Sequence, residues 1–125
     1  MDFQLIINNF LVILQGLDET LILIFLSLIL GFFISIPFAL ARVSSIKVLS
    51  QSVYYYIFVI RGTPLLVQIY LIYFGLGSIK AVRESFLWIL LKEPFWCGVI
   101  ALVINTVAYT TEIFRGGIQS VNKAQ

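Results

Sequence analysis

From Leu21 to Ala41 the chain runs for 21 residues without a charged side chain. That is the length a helix needs to cross the roughly 30 Å hydrocarbon layer of a bilayer, about 20 residues at a rise of 1.5 Å each. Two more uncharged stretches follow, Gly62–Ile79 and Pro94–Thr111, each of 18 residues. A water-soluble domain of 125 residues could not bury so much apolar surface. Hydrophobic residues reach 61% and charged residues only 11%, against about 45–50% and about 25% in soluble domains. Lipid offers the backbone no hydrogen-bond partners, so spans are helices or closed barrels. A barrel needs repeated alternating segments of about ten residues. The continuous apolar runs here predict an all-α integral membrane protein.

The same composition removes several function classes. Cys97 is the single cysteine, so no intrachain disulfide forms, and there is no histidine. Metal and acid–base sites are disfavoured. No serine has a histidine partner, and no glycine-rich phosphate loop is present. The net charge of +2 is too small to suggest nucleic acid. The first 20 residues carry Asp2, Asp18 and Glu19, no basic residue and no small-residue cleavage site, unlike a signal peptide.

Phe3–Leu17 is uncharged but short. Its apolar stripe at Phe3, Ile6, Ile7, Phe10, Leu11, Leu14 and Leu17 predicts a helix lying in the interface over residues 1–17; a frayed amphipathic terminus fits equally. The first span then covers about 20–41, with Asp18 or Thr20 as its cap. Inside it, Gly31 marks close packing and Pro37 a kink. Arg42, Ser44, Ser45 and Lys47 end it. Val48–Ile60 is too short to cross. It is read as a surface helix with its tyrosines at headgroup level, or as the start of one long bent second span. In Arg61-Gly62-Thr63-Pro64 a charge is followed by a helix start, with Thr63 as cap and Pro64 in the first helical position. The second span covers about 62–77. Residues 78–93 form a charged connector around the apolar patch Phe86–Leu91. The third span covers about 94–115, with Trp96 in an aromatic belt and Arg115-Gly116-Gly117 as its stop.

Lys and Arg set orientation. Arg42, Lys47, Arg61, Arg115 and Lys123 gather on one side, and Lys80, Arg83 and Lys92 on the other. The first group is expected in the cytoplasm, which puts the N-terminus outside and residue 125 inside.

Polar groups at membrane depth are the candidate site. They are Gln68 in the second span, then Asn105, Thr106 and Tyr109 in the third, and Glu112 with Arg115 at its inner end. Asn105, Tyr109 and Glu112 are spaced four and three apart and share one helix face. Such a face lines a solute path or makes interhelical hydrogen bonds worth about 0.6 kcal/mol each; spacing leaves both open. Glu112 and Arg115 also suit a plain ion pair. Cys97 is read as a small packing residue.

The motifs go further than periodicity. Arg61-Gly62-Thr63-Pro64-Leu65-Leu66-Val67-Gln68, followed by Tyr73-Phe74-Gly75-Leu76, resembles the signature of polar amino acid ABC transporter permeases. Upstream, Leu14-Gln15-Gly16-Leu17, Thr20-Leu21, Leu30-Gly31 and Ala41-Arg42 resemble the first span of that family. Downstream, Asn105 to Val121 resembles its third span and exit. Three blocks in order cover nearly the whole chain.

The resemblance implies a type I (MetI-like) ABC importer transmembrane domain in the bacterial inner membrane. Its expected partners are an ATP-binding cassette ATPase subunit, a second permease chain, a periplasmic solute-binding protein, an amino acid substrate and the lipid bilayer. No cofactor is expected on this chain, and ATP hydrolysis belongs to the separate subunit. Asn105 and Tyr109, with Gln68 as a weaker candidate, would line the substrate path. Arg61 would anchor the second span on the cytoplasmic side. Glu112, Arg115, Gly116 and Gly117 would lead toward a coupling loop that docks on the ATPase. The family pattern continues into an E-A-A…G loop, whereas this chain reaches Asn122-Lys123-Ala124-Gln125. The expectation is therefore a partial domain over residues 18–125. A non-transporting scaffold, the remnant of a truncated permease gene, is the alternative.

Overall fold

In the computed structural model of the protein, residues 2–124 are described, with side chains through Val121. Six helices follow in order, and no strand occurs among the described residues. They are α1 (Phe3–Arg42), α2 (Lys47–Arg61), α3 (Leu65–Tyr70), α4 (Lys80–Arg83), α5 (Trp88–Leu91) and α6 (Pro94–Ala124). After Tyr70, α3 widens into a π-helical turn, Leu71–Gly75, and tightens into a 3₁₀ turn, Leu76–Ser78. Two helices are long and apolar enough to span, within Phe3–Arg42 and Pro94–Val121. The pair Lys47–Arg61 and Leu65–Ser78, bent by 103°, supplies a third span if counted as one.

α1 is one helix of 40 residues. The expected division into an interfacial helix over 1–17 and a span from about 20 is absent from the backbone. Asp2 caps the whole element by accepting from the Gln4 N–H at 3.2 Å. Thr20 does not cap a new helix; its hydroxyl donates back to the Gly16 carbonyl at 3.0 Å. Asp18 and Glu19 are tolerated inside a helix, and no proline precedes Pro37. Nothing local interrupts the hydrogen-bond ladder.

α1 and α6 run side by side. The buried positions of α1 are Ser27, Gly31, Ser35 and Ala39, one per turn. Small residues at this spacing let two backbones approach, which is how helices associate in lipid without a hydrophobic drive. Gly31 is the tightest point, as its role in close packing requires. A Cβ there would sit 2.5 Å from Thr106 Cγ2. Gly98 on α6 faces Leu23 in the same way, 3.2 Å from its Cδ1. Cys97, Val99, Ala101, Val107, Ala108 and Thr111 are the other buried positions of α6. Cys97 is a packing residue, wholly buried, with its thiol on the Leu91 carbonyl.

Residues Lys47–Arg61 form a helix of their own, bent by 103° from the segment that follows, a geometry that fits either reading of residues 48–60. A short turn closes α1, with Ser44 Oγ accepting from the Ile46 N–H at 3.1 Å. Arg42 and Ser50 then tie α1 to α2. The guanidinium donates to Ser50 Oγ at 2.8 Å, and that hydroxyl donates to the Arg42 carbonyl at 2.6 Å. Val53 and Ile57 are buried, and the Tyr56 hydroxyl donates to the Ile104 carbonyl of α6.

The start of α3 differs by one residue from expectation. Pro64, at φ −62° and ψ 141°, is itself the cap, and Leu65 is the first helical residue. Thr63 cannot cap because its hydroxyl closes α2, donating to the Val59 carbonyl at 2.7 Å. The Phe86–Leu91 patch contains α5, with Leu91 buried and Phe86 exposed.

At its far end α6 runs on to Ala124 through Gly116 and Gly117, the expected stop. Neither glycine adopts a positive φ, so no left-handed cap forms. Arg115 straps the helix across the pair. Its guanidinium reaches back to Glu112 and forward to Gln119 Oε1, the latter at 2.8 Å.

Candidate functional site

The polar groups converge where the broken pair α2–α3 lies against the middle of α6. Proline 64 has no N–H, so the Ile60 carbonyl loses its helical donor four residues on. Side chains in a helix lean toward its N-terminus. Gln68, one turn into α3, therefore reaches back over the break. Its Nε2 donates to the Ile60 carbonyl at 3.0 Å and to the Thr63 carbonyl at 3.1 Å. Its Oε1 accepts from Asn105 Nδ2 of α6 at 3.4 Å. Gln68 is 7% exposed, and both its donor hydrogens are engaged.

One turn farther along α6 the face opens. Tyr109 is 44% exposed, and the Arg61 guanidinium lies over its ring at 5.5 Å from the centroid. Next comes Glu112, half-buried and paired with Arg115. Together they border an open groove of about 420 Å³ lined by Tyr54, Ile57, Phe58, Arg61, Gly62, Tyr109 and Glu112. Charge is unevenly distributed there. Arg115 pairs with Glu112 directly, and Arg61 stands on the same groove wall over Tyr109. A groove with both charge signs and a phenol on its walls can hydrogen-bond a small zwitterion.

Asn105, Tyr109 and Glu112 do share one face, and Arg61 joins them from α2. Gln68 meets Asn105 beneath the groove, outside its lining. Thr106 packs against Gly31 on the neighbouring flank of α6, and Gly116 and Gly117 lie farther along α6, outside the groove. Tyr54 and Arg42, read from the sequence as an interfacial tyrosine and a span-ending charge, were not expected at the site. Tyr54, Phe58 and Arg61 stand four and three apart, the same one-face spacing that marks α6. Arg42 lies over the Tyr54 ring at 5.0 Å and bonds Ser50, a pairing across a turn that periodicity does not register.

The sequence profile of the binding-protein-dependent transport system inner membrane component family matches residues 27–125. The chain belongs to this family. Among the relatives of this chain is a nopaline transport system permease protein of Agrobacterium fabrum, 48% identical over 126 residues. That match takes in 100% of this chain and 52% of the relative. An octopine transport system permease protein of Rhizobium radiobacter is 47% identical, over 94% of this chain and 48% of the relative. The crystal structure of an amino acid ABC transporter with histidines superposes with a TM-score of 0.77 at 40% identity. It covers 97% of this chain and 52% of that one. The fold is thus the type I importer transmembrane fold, and the chain spans about half the length of the relatives it matches.

Proposed function

We propose that this permease chain forms part of the translocation path of an ATP-driven importer of amino acids or amino-acid derivatives. The observation that carries the reading is the groove at Tyr109, walled by Arg61 and Glu112 and set on the polar face of a spanning helix. Family membership supports transport as the activity. The names of the relatives, which specify nopaline, octopine, arginine, and histidine, lysine, arginine and ornithine, support amino-acid chemistry in the solute.

On this reading the Tyr109 phenol contacts the solute. Asn105, one turn from Tyr109 and outside the groove lining, meets the solute farther along the path with its carbonyl oxygen and the N–H not given to Gln68. Arg61 and Glu112 offer opposite charges to the carboxylate and ammonium groups. Gln68 is the weakest path candidate, because its amide is already engaged. ATP hydrolysis falls to a separate ATPase subunit, and a second permease chain and a periplasmic binding protein complete the assembly. The membrane on this reading is the bacterial inner membrane, and the lysine and arginine bias supports a cytoplasmic position for residues 42–61 and the end of α6.

The test is uptake and solute-stimulated ATPase activity in the assembled transporter. Asn105→Ala and Tyr109→Phe should each lower both. Unchanged uptake and stimulation in both variants would remove the substrate assignment.

A further inference from the structure

A helix broken by 103° at a Gly-Thr-Pro sequence would ordinarily be a loose joint. Proline removes the donor that would continue the ladder, and the carbonyls at the end of the preceding helix are left seeking partners. In lipid an unmet carbonyl finds no water to replace its partner, so a joint of this kind survives only where other groups supply the bonds.

Here they are supplied locally. The Phe58 carbonyl accepts from the Gly62 N–H at 3.1 Å, and the Val59 carbonyl from the Thr63 hydroxyl at 2.7 Å. The Ile60 carbonyl accepts a long bond from the Thr63 N–H at 3.3 Å. Gln68 adds a second bond to the Ile60 carbonyl and one to the Thr63 carbonyl, from the far side of the break. A bond across a joint from α3 to α2 fixes the angle between them. Asn105 then holds the same amide from α6.

We propose that Gln68 and Asn105 are positioning residues that lock the α2–α3 bend at its angle and fasten it to the middle of α6. The consequence for the groove is geometric. Arg61 is the last residue of α2 before the break, and Tyr109 lies one turn beyond Asn105 on α6. Holding Gln68 to Asn105 holds Arg61 over the Tyr109 ring. The inference goes beyond the transport reading and does not depend on which solute, if any, enters the groove.

The test measures the joint itself. In a Cys97→Ser background, spin labels replace Val48 on α2 and Phe74 beyond α3, both exposed. Their distance distribution is read by pulsed EPR with the chain in lipid vesicles. A second pair at Phe25 on α1 and Ile113 on α6, also exposed, reports the α1–α6 seam. Gln68→Met keeps the length of the side chain and removes its amide. It should shift and broaden the Val48–Phe74 distribution and leave the Phe25–Ile113 distribution narrow. An unchanged Val48–Phe74 distribution overturns the proposal. Equal broadening of both pairs also overturns it, since that is a general loosening of the bundle. Should Gln68→Met fail to insert, Gln68→Glu decides. It keeps the side-chain length and the Oε1 facing Asn105 but removes the NH2 group that bonds the Ile60 and Thr63 carbonyls across the joint. The same local broadening is expected, and its absence again overturns the proposal.

Discussion

Gly31 of α1 and Thr106 of α6 leave no room between them. A methyl group on Gly31 would lie 2.5 Å from Thr106 Cγ2 and 2.7 Å from its Cβ, both far inside contact distance. Gly31→Ala should therefore lower stability through overpacking, by about 1–3 kcal/mol. Thermal or denaturant unfolding in detergent reads this directly. Thr106→Gly removes both clashing atoms, so the double variant should recover part of the loss. Equal loss in the single and double variants would place the strain elsewhere.

Tyr56 links α2 to α6 through its hydroxyl and to α1 through its ring, whose centroid lies 5.6 Å from that of Phe38. Tyr56→Phe deletes the first link and preserves the second. The expected loss is about 1 kcal/mol, the net worth of one hydrogen bond. Tyr56→Ala, which also empties the space beside Phe38, should cost several times more in the same unfolding measurement.

Arg61 and Tyr109 should prove energetically coupled. A guanidinium over an exposed tyrosine ring is worth about 0.5–1 kcal/mol. A double-mutant cycle with Arg61→Ala and Tyr109→Leu should return a coupling energy of that size. A value near zero would mean that the contact is geometric only.

Arg115 holds α6 together where its two glycines would weaken it. Arg115→Ala removes the bonds to Glu112 and to Gln119 at once. Amide hydrogen exchange of residues 116–121 should then accelerate, while exchange over 97–108 stays slow. By contrast Lys80 and Glu84 are 3.8 Å apart with side chains 81% and 67% exposed. Lys80→Ala should leave unfolding unchanged within about 0.5 kcal/mol, as for most surface ion pairs.

The sequence carried the parts of this fold that depend on composition and period. Uncharged length gave the spanning segments, and four- and three-residue spacing put Asn105, Tyr109 and Glu112 on one face. Gly31 stood out as a contact because glycine inside an apolar helix has few other uses there. Helix continuity was not legible. Acidic residues at 18–19 and a glycine pair at 116–117 look like boundaries, yet neither opposes helical geometry strongly enough to end one. Backbone hydrogen bonds cross both. The break after Arg61 was legible as a helix start but not as a 103° turn. That angle rests on Gln68 reaching carbonyls five and eight residues behind it. Such reach depends on where α6 stands, and no local pattern records it. Gln68 was read as a path residue for the same reason: an amide at membrane depth looks alike whether it faces a solute or a carbonyl.

The unbroken length of α1 has one more consequence. Forty residues make a rod of about 60 Å. Fitting that inside a hydrocarbon layer of about 30 Å would require a tilt near 60°, well beyond the roughly 40° that spanning helices reach. Part of the rod must stand clear of the layer. The seam with α6 begins at Leu23, and every described residue before it is exposed. The waterline thus falls along a stretch with nothing packed against it among the described residues. It can shift by a turn without breaking a contact seen here, so membranes of different thickness can be met by a change of draught instead of a change of fold.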